Sequence, residues 1–174
     1  MIQHNLKTIL QSALTVSEVK FTMASGNTSN TMLDLSKVLR TKAGQTALVS
    51  HLEDIGHEYY TCVGGPLNGS DLVAFAVTQA WNIDKWFGIR KAPKNRGYDI
   101  GRITGNLQAG DRVLLVEDVC TTGGTIVQAA PHISGIGAKI SGILTVVDRG
   151  GLEHATKMLG VPGKALFTLE ELQG

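Results

Sequence analysis

The run from Val113 to Thr125, VLLVEDVCTTGGT, concentrates more reactive chemistry than any other part of the chain. An apolar stretch ends in two adjacent carboxylates, Glu117 and Asp118, and hydroxyls and glycines follow. The apolar part predicts a buried strand, and ligands of open parallel sheets sit at the carboxyl ends of their strands. A Gly- and Thr-rich turn that opens a helix offers unpaired N–H groups, hydroxyls and the positive end of the helix dipole, which together suit a phosphate. Two acids just before that turn accept hydrogen bonds from sugar hydroxyls. Glu117 and Asp118 with Thr121, Thr122, Gly123, Gly124 and Thr125 therefore point to a phosphorylated ribose. The alternative is a solvated acidic strand end followed by an ordinary turn.

A second concentration lies between Arg90 and Arg102, RKAPKNRGYDIGR, where Arg90, Lys91, Lys94, Arg96 and Arg102 face Asp99 alone. That segment carries +4, against +1 for the whole chain. A run of cations is commonly a solvated surface. On a long glycine-bearing connection ahead of a ribose–phosphate motif, it reads as a lid that excludes water and meets the charge developing on a leaving group. Other phosphate motifs fail on their own terms. Gly64 to Ser70 lacks the lysine of a P-loop, and GIGAKI at Gly135 lacks the third glycine and precedes a strand.

The elements that must position these residues follow from periodicity. Leu6, Ile9, Leu10 and Ala13 predict an N-terminal helix; Val19, Phe21 and Met23 alternate as a strand; TMLDL predicts a second strand. Ala47, Leu48, Leu52 and Ile55 space out a helix stopped by a left-handed Gly56. Strand and helix then alternate as YYTCV, DLVAFAVTQAW, KWFGIRK, RVLLVEDV, IVQAAPHISGIG, KISGILTVVD, LEHATKML and KALFTL. This is the pattern of a mainly parallel sheet flanked by helices. APKNRGYDIGRITGNLQAG reads as a long connection without periodicity, and Pro131 is expected to bend or end its helix early.

Composition narrows the function classes. With 174 residues the chain reads as one domain, and 16 Lys+Arg against 15 Asp+Glu argue against a surface built for long nucleic acid. No apolar window has the length of a membrane span, and the N-terminus lacks the pattern of a signal peptide. Cys62 and Cys120 provide neither a disulfide framework nor metal-ligand spacing, so the expectation is a cytoplasmic protein. His51 and His57, without a third ligand nearby, read as surface or helix-end residues.

The Val113–Thr125 run resembles the 5-phosphoribosyl 1-pyrophosphate (PRPP) signature of the type I phosphoribosyltransferases. RKAPKNRG, followed by ITG and GDRVLLVEDV, is similar to the orotate phosphoribosyltransferases within that group, with Arg90, Lys91, Lys94 and Gly97 matching and Arg96 standing where histidine is usual. KFTMASGNTSNTMLDL matches a family segment at Phe21, Thr22, Ser25, Gly26, Ser29, Asp34 and Leu35. VGGPLNG resembles the pyrophosphate loop, and DRGG at Asp148 resembles the turn whose arginine meets the orotate carboxylate. Two departures fall on the base side: Ala24 replaces a frequent lysine, and Thr31 and Met32 replace an aromatic pair.

The resemblance implies a type I phosphoribosyltransferase fold over residues 1–174, with a core of about 36–160 and a small hood from about 1–35 plus the C-terminal end. It implies transfer of ribose 5-phosphate from PRPP to orotate in UMP synthesis, with Mg²⁺ carried by the substrate and no dedicated protein ligand set. Glu117 and Asp118 would bind the ribose hydroxyls, Thr121 to Thr125 the 5′-phosphate, and Leu67, Asn68 and Gly69 the pyrophosphate. Lys94, assisted by Arg90, Lys91 and Arg96, would serve the leaving group, and Arg149, Thr31 and Met32 the base. A homodimer sharing its basic loop between subunits is implied, with no nucleic acid or membrane partner. Two other readings stay open: a phosphoribosyltransferase for another nucleobase, and a non-catalytic PRPP-sensing module.

Overall fold

Parallel pairing needs a crossover after each strand, and the chain supplies a helix at almost every one. The computed structural model describes residues 5–22, 28–56, 59–94 and 101–174. Six strands form the main sheet: β3 (Cys62–Pro66), β4 (Trp86–Lys94), β5 (Gly101–Gly105), β6 (Arg112–Cys120), β7 (Lys139–Asp148) and β8 (Gly163–Thr168), in the order β5-β4-β3-β6-β7-β8. All neighbours are parallel except β4 and β5. A separate antiparallel ribbon joins β1 (Leu14–Thr22) to β2 (Thr28–Leu33).

The sheet is buried on both faces, so β6 reads as a continuous apolar run and its side chains alternate between two cores. Leu114 and Val116 enter the cluster shared with α3 (Lys42–Ile55) and α4 (Ser70–Trp81). Val113 and Leu115 enter the cluster shared with α5 (Gly124–Ile136) and α6 (Leu152–Leu159). Further along β6, Val119 packs on the first cluster and Cys120 enters the second. The alternation thus slips across Glu117 and Asp118, and both acids stay half-buried at the strand end. The short helix α1 (Leu6–Gln11) and the C-terminal α7 (Leu169–Gln173) pack on the first cluster through Leu6, Leu10 and Leu172.

Several sequence expectations need correction. The connection read as lacking periodicity contains strand in both of its described stretches: β4 runs to Lys94, and β5 pairs antiparallel with β4 through Phe87↔Gly105, Gly88↔Thr104 and Ile89↔Ile103. Gly101 and Gly105, at φ +98 and +97, bracket that return strand in a conformation side chains rarely adopt. Pro131 does not end its helix, which continues to Ile136 and closes on a left-handed Gly137. Pro131 is exposed, so its ring takes no room from the core. Gly56 has the expected positive φ of +64 but an extended ψ of −179, so it turns the chain without a left-handed cap.

Candidate active site

The carboxyl ends of β3, β6 and β7 lie side by side because these strands are parallel neighbours, and Cys120 stands opposite Asp148 in the register. Three turns into helices therefore meet at one edge of the sheet, which is where an open parallel sheet takes its ligand.

At the end of β6, Asp118 lies against Gly69 so closely that a Cβ on Gly69 would overlap its carboxylate. Asp118 Oδ1 accepts from the Val119 N–H at 2.9 Å. Burial pushes the Asp118 carboxyl up from its usual range, and the charges of Asp71 and Asp34 add to this. Burial, then the neighbouring Asp118 charge, raises Glu117 to about 7. The acids are thus held where hydroxyl donors or a cation would relieve them. Asp71, in the first turn of α4, belongs to this group although no sequence motif singled it out; its buried Oδ1 has no hydrogen-bond partner among the described residues. Asp34 follows β2 and accepts from Ser36 Oγ at 2.6 Å, bringing the end of the ribbon within electrostatic reach of Asp118.

The turn after β6 leaves Thr121, Thr122 and Thr125 exposed, with Gly123 at φ +74 as the N-cap of α5, itself without a side chain, and Thr122 Oγ1 accepting weakly from the Gly124 N–H at 3.4 Å. Exposed hydroxyls and helix-start N–H groups are what a phosphate requires. Burial raises the Cys120 thiol to about 12, so Cys120 is a filler and not a nucleophile at neutral pH. Beside it, the turn Leu67–Gly69 starts with the Leu67 N–H donating to Ile89 O at 2.9 Å, and Ser70 Oγ donates to Pro66 O at 2.6 Å. Asn68 is exposed, and its peptide bond with Leu67 is cis.

At the end of β7, the half-buried Arg149 follows Asp148, and its N–H donates to Cys120 O at 2.8 Å. Thr31 is buried and accepts from Gln173 Nε2 at 3.1 Å, whereas Met32 is half exposed on the ribbon. Arg90 is half-buried and Lys91 exposed on β4, which Lys94 closes. Arg102 does not join these cations: its guanidinium donates to the carbonyls of Arg90 and Lys91, pinning β5 to β4. Arg96, Gly97, Ala24, Ser25, Gly26 and His57 lie outside the described residues. Among the described residues, no group of three or more His, Cys, Asp or Glu side chains is arranged to hold a metal ion.

The family model for the phosphoribosyl transferase domain matches residues 96–159. The orotate phosphoribosyltransferase of Aquifex aeolicus is 33% identical over 162 residues, 89% of this chain and 87% of its own length. That of Mycobacterium avium is 31% identical over 163 residues, covering 91% and 90%. Among solved structures, the Mycobacterium tuberculosis orotate phosphoribosyltransferase in complex with Fe(III) dicitrate superposes with a TM-score of 0.79 at 28% identity over 98% of both chains. The same enzyme in complex with PRPP gives 0.78 at 26% identity over 99% of both. A sheet with these turns at its carboxyl edge, and relatives that match it nearly end to end, place the chain in the orotate phosphoribosyltransferase family, with the type I phosphoribosyltransferase fold.

Proposed function

We propose that the chain transfers the 5-phosphoribosyl group of PRPP to N1 of orotate, giving orotidine 5′-phosphate and pyrophosphate. The observation that carries this is the meeting of an acidic pair with two turns: Glu117 and Asp118, the exposed Thr121–Thr125 turn and the Leu67–Gly69 turn packed on Asp118. The acids accept from the ribose 2′- and 3′-hydroxyls. The threonine–glycine turn takes the 5′-phosphate, and Leu67 to Gly69 border the diphosphate.

The C1–O bond to the diphosphate breaks as the N1–C1 bond forms, and the N1 proton is released. No protein nucleophile is needed; the chain positions the reactants and meets charge on the departing pyrophosphate with Lys94, Arg90, Lys91 and Arg96. Arg149 faces the acceptor carboxylate, with Thr31 and Met32 on the hood side. Magnesium would arrive with the substrate and be held beside Glu117 and Asp118, where it would supply charge neutralisation.

The β4–β5 hairpin is the edge of the sheet, in a position to reach a second subunit, and we read the working unit as a homodimer that shares this loop. Among the described residues no helix is long and apolar enough to cross a membrane, and both cysteines are free and buried, which supports a cytoplasmic setting. A second reading, another nucleobase as acceptor, draws on Thr31 being tied to Gln173 and Met32 facing outward. The test is pyrophosphate release from PRPP with Mg²⁺ across a panel of bases. Orotate should support turnover, and Lys94→Ala should lower kcat by a factor of at least ~10² with PRPP binding little changed. Turnover on a purine alone would move the assignment to the second reading, and an unchanged kcat would remove Lys94 from the leaving-group role.

A further inference from the structure

The turn that carries Arg149 is fixed by contacts the transfer itself does not use. Asp148 Oδ1 accepts from three N–H groups in succession: Gly150 at 2.9 Å, Gly151 at 2.9 Å and Leu152 at 3.1 Å. One oxygen thus closes the turn and satisfies the start of α6, whose own N-cap, Gly151, has no side chain to do so. From the other side, the Arg149 N–H is held on Cys120 O at 2.8 Å.

Between these anchors Gly151 rests on the phosphate turn. A Cβ on Gly151 would come within 2.7 Å of the carbonyl carbons of Thr121 and Thr122, and a Cβ on Gly123 would run into Gly151 O. Gly151 has φ −93 and ψ −16, a conformation open to every residue, so the glycine is required by the close approach and not by its backbone angles. The phosphate turn and the Arg149 turn are packed backbone to backbone.

We propose that Asp148 and Gly151 are positioning residues for the acceptor: they clamp the Arg149 turn onto the 5′-phosphate cradle, so that filling the cradle completes the acceptor site. The inference rests on the reading of Arg149 as the contact to the acceptor's carboxylate. A phosphate seated on Thr121–Thr125 orders that turn and, through the Gly123–Gly151 contact, the one beside it. An acceptor arriving afterwards is spared that ordering cost and binds more tightly, and by linkage the acceptor tightens the phosphate ligand by the same factor.

The experiment is calorimetric binding of orotate to the full chain with and without saturating ribose 5-phosphate, which fills the cradle but has no diphosphate to lose. Wild type is expected to bind orotate about 5-fold or more tightly when ribose 5-phosphate is present, the lower end of common coupling energies. Asp148→Ala should reduce that gain below about 2-fold while still binding ribose 5-phosphate, which also confirms that the cradle is folded. Asp148→Asn should restore the gain, because its side-chain oxygen can accept the same three N–H groups. No gain in wild type, or a full gain in Asp148→Ala, overturns the clamp. Arg149→Ala separates the two claims. An unchanged orotate affinity there removes Arg149 from the acceptor site, while the clamp is decided by Asp148→Ala.

Discussion

Glu117, raised to about 7 by burial and by the charge of Asp118, makes the site sensitive to pH in a definite direction. A carboxyl whose folded value lies above its unfolded 4.5 keeps its proton after the unfolded chain has lost it. The unliganded protein therefore loses stability as pH rises from about 4.5 to about 7 and levels off beyond. Ribose hydroxyls favour the ionised form, so the ligand runs the other way. Binding of PRPP with Mg²⁺ should weaken by up to about 10-fold per pH unit below 7 and release a proton at pH 6 but not at pH 8. Calorimetry in two buffers of different ionisation enthalpy reads that proton directly, and equal apparent enthalpies at pH 6 would show that Glu117 does not face the ligand. At this scale, the acids and the phosphate turn were legible because their chemistry is contiguous in the chain. Asp71 was not: its proximity to Asp118 is created by the β3–β6 pairing, and nothing in SDLVAF marks the carboxylate as part of a site.

Between elements, the contact of Gly69 with Asp118 decides how the start of α4 and the end of β6 share one site. Gly69 has φ −83 and ψ −40, which alanine accepts, so Gly69→Ala should fold while its methyl displaces the Asp118 carboxylate. We expect the KM for PRPP to rise about 10-fold or more, the scale of one lost charge-assisted hydrogen bond. An unchanged KM would mean that Asp118 holds no ribose hydroxyl. The strands and helices of the sheet followed from runs and periodicity, since a strand buried on both faces is continuous in apolar residues. The β4–β5 hairpin escaped because its pairing is maintained by Arg102 reaching back to β4 carbonyls and by two positive-φ glycines, neither of which leaves a period in the sequence. The helix α7 does leave a signal: Thr168 and Glu171 form a capping box, announced by the T-x-x-E spacing.

For the whole molecule, the order β5-β4-β3-β6-β7-β8 brings the turns after β3, β6 and β7 to one edge and sets the basic hairpin at the sheet's border. Strand order cannot be read from local pattern; the resemblance implied only a mainly parallel sheet with a hood, and the order itself comes from the structure. The central claim is that this edge grips the phosphoribosyl group, and calorimetric titration of PRPP with Mg²⁺ into wild type and Asp118→Asn tests it most directly. Because burial already favours the uncharged form of Asp118, the asparagine variant should keep or raise Tm. The account predicts saturable binding at one site per chain, weakened about 10-fold or more in Asp118→Asn with the fold intact. Absence of binding to the wild type, or equal affinity in the two proteins, would contradict it.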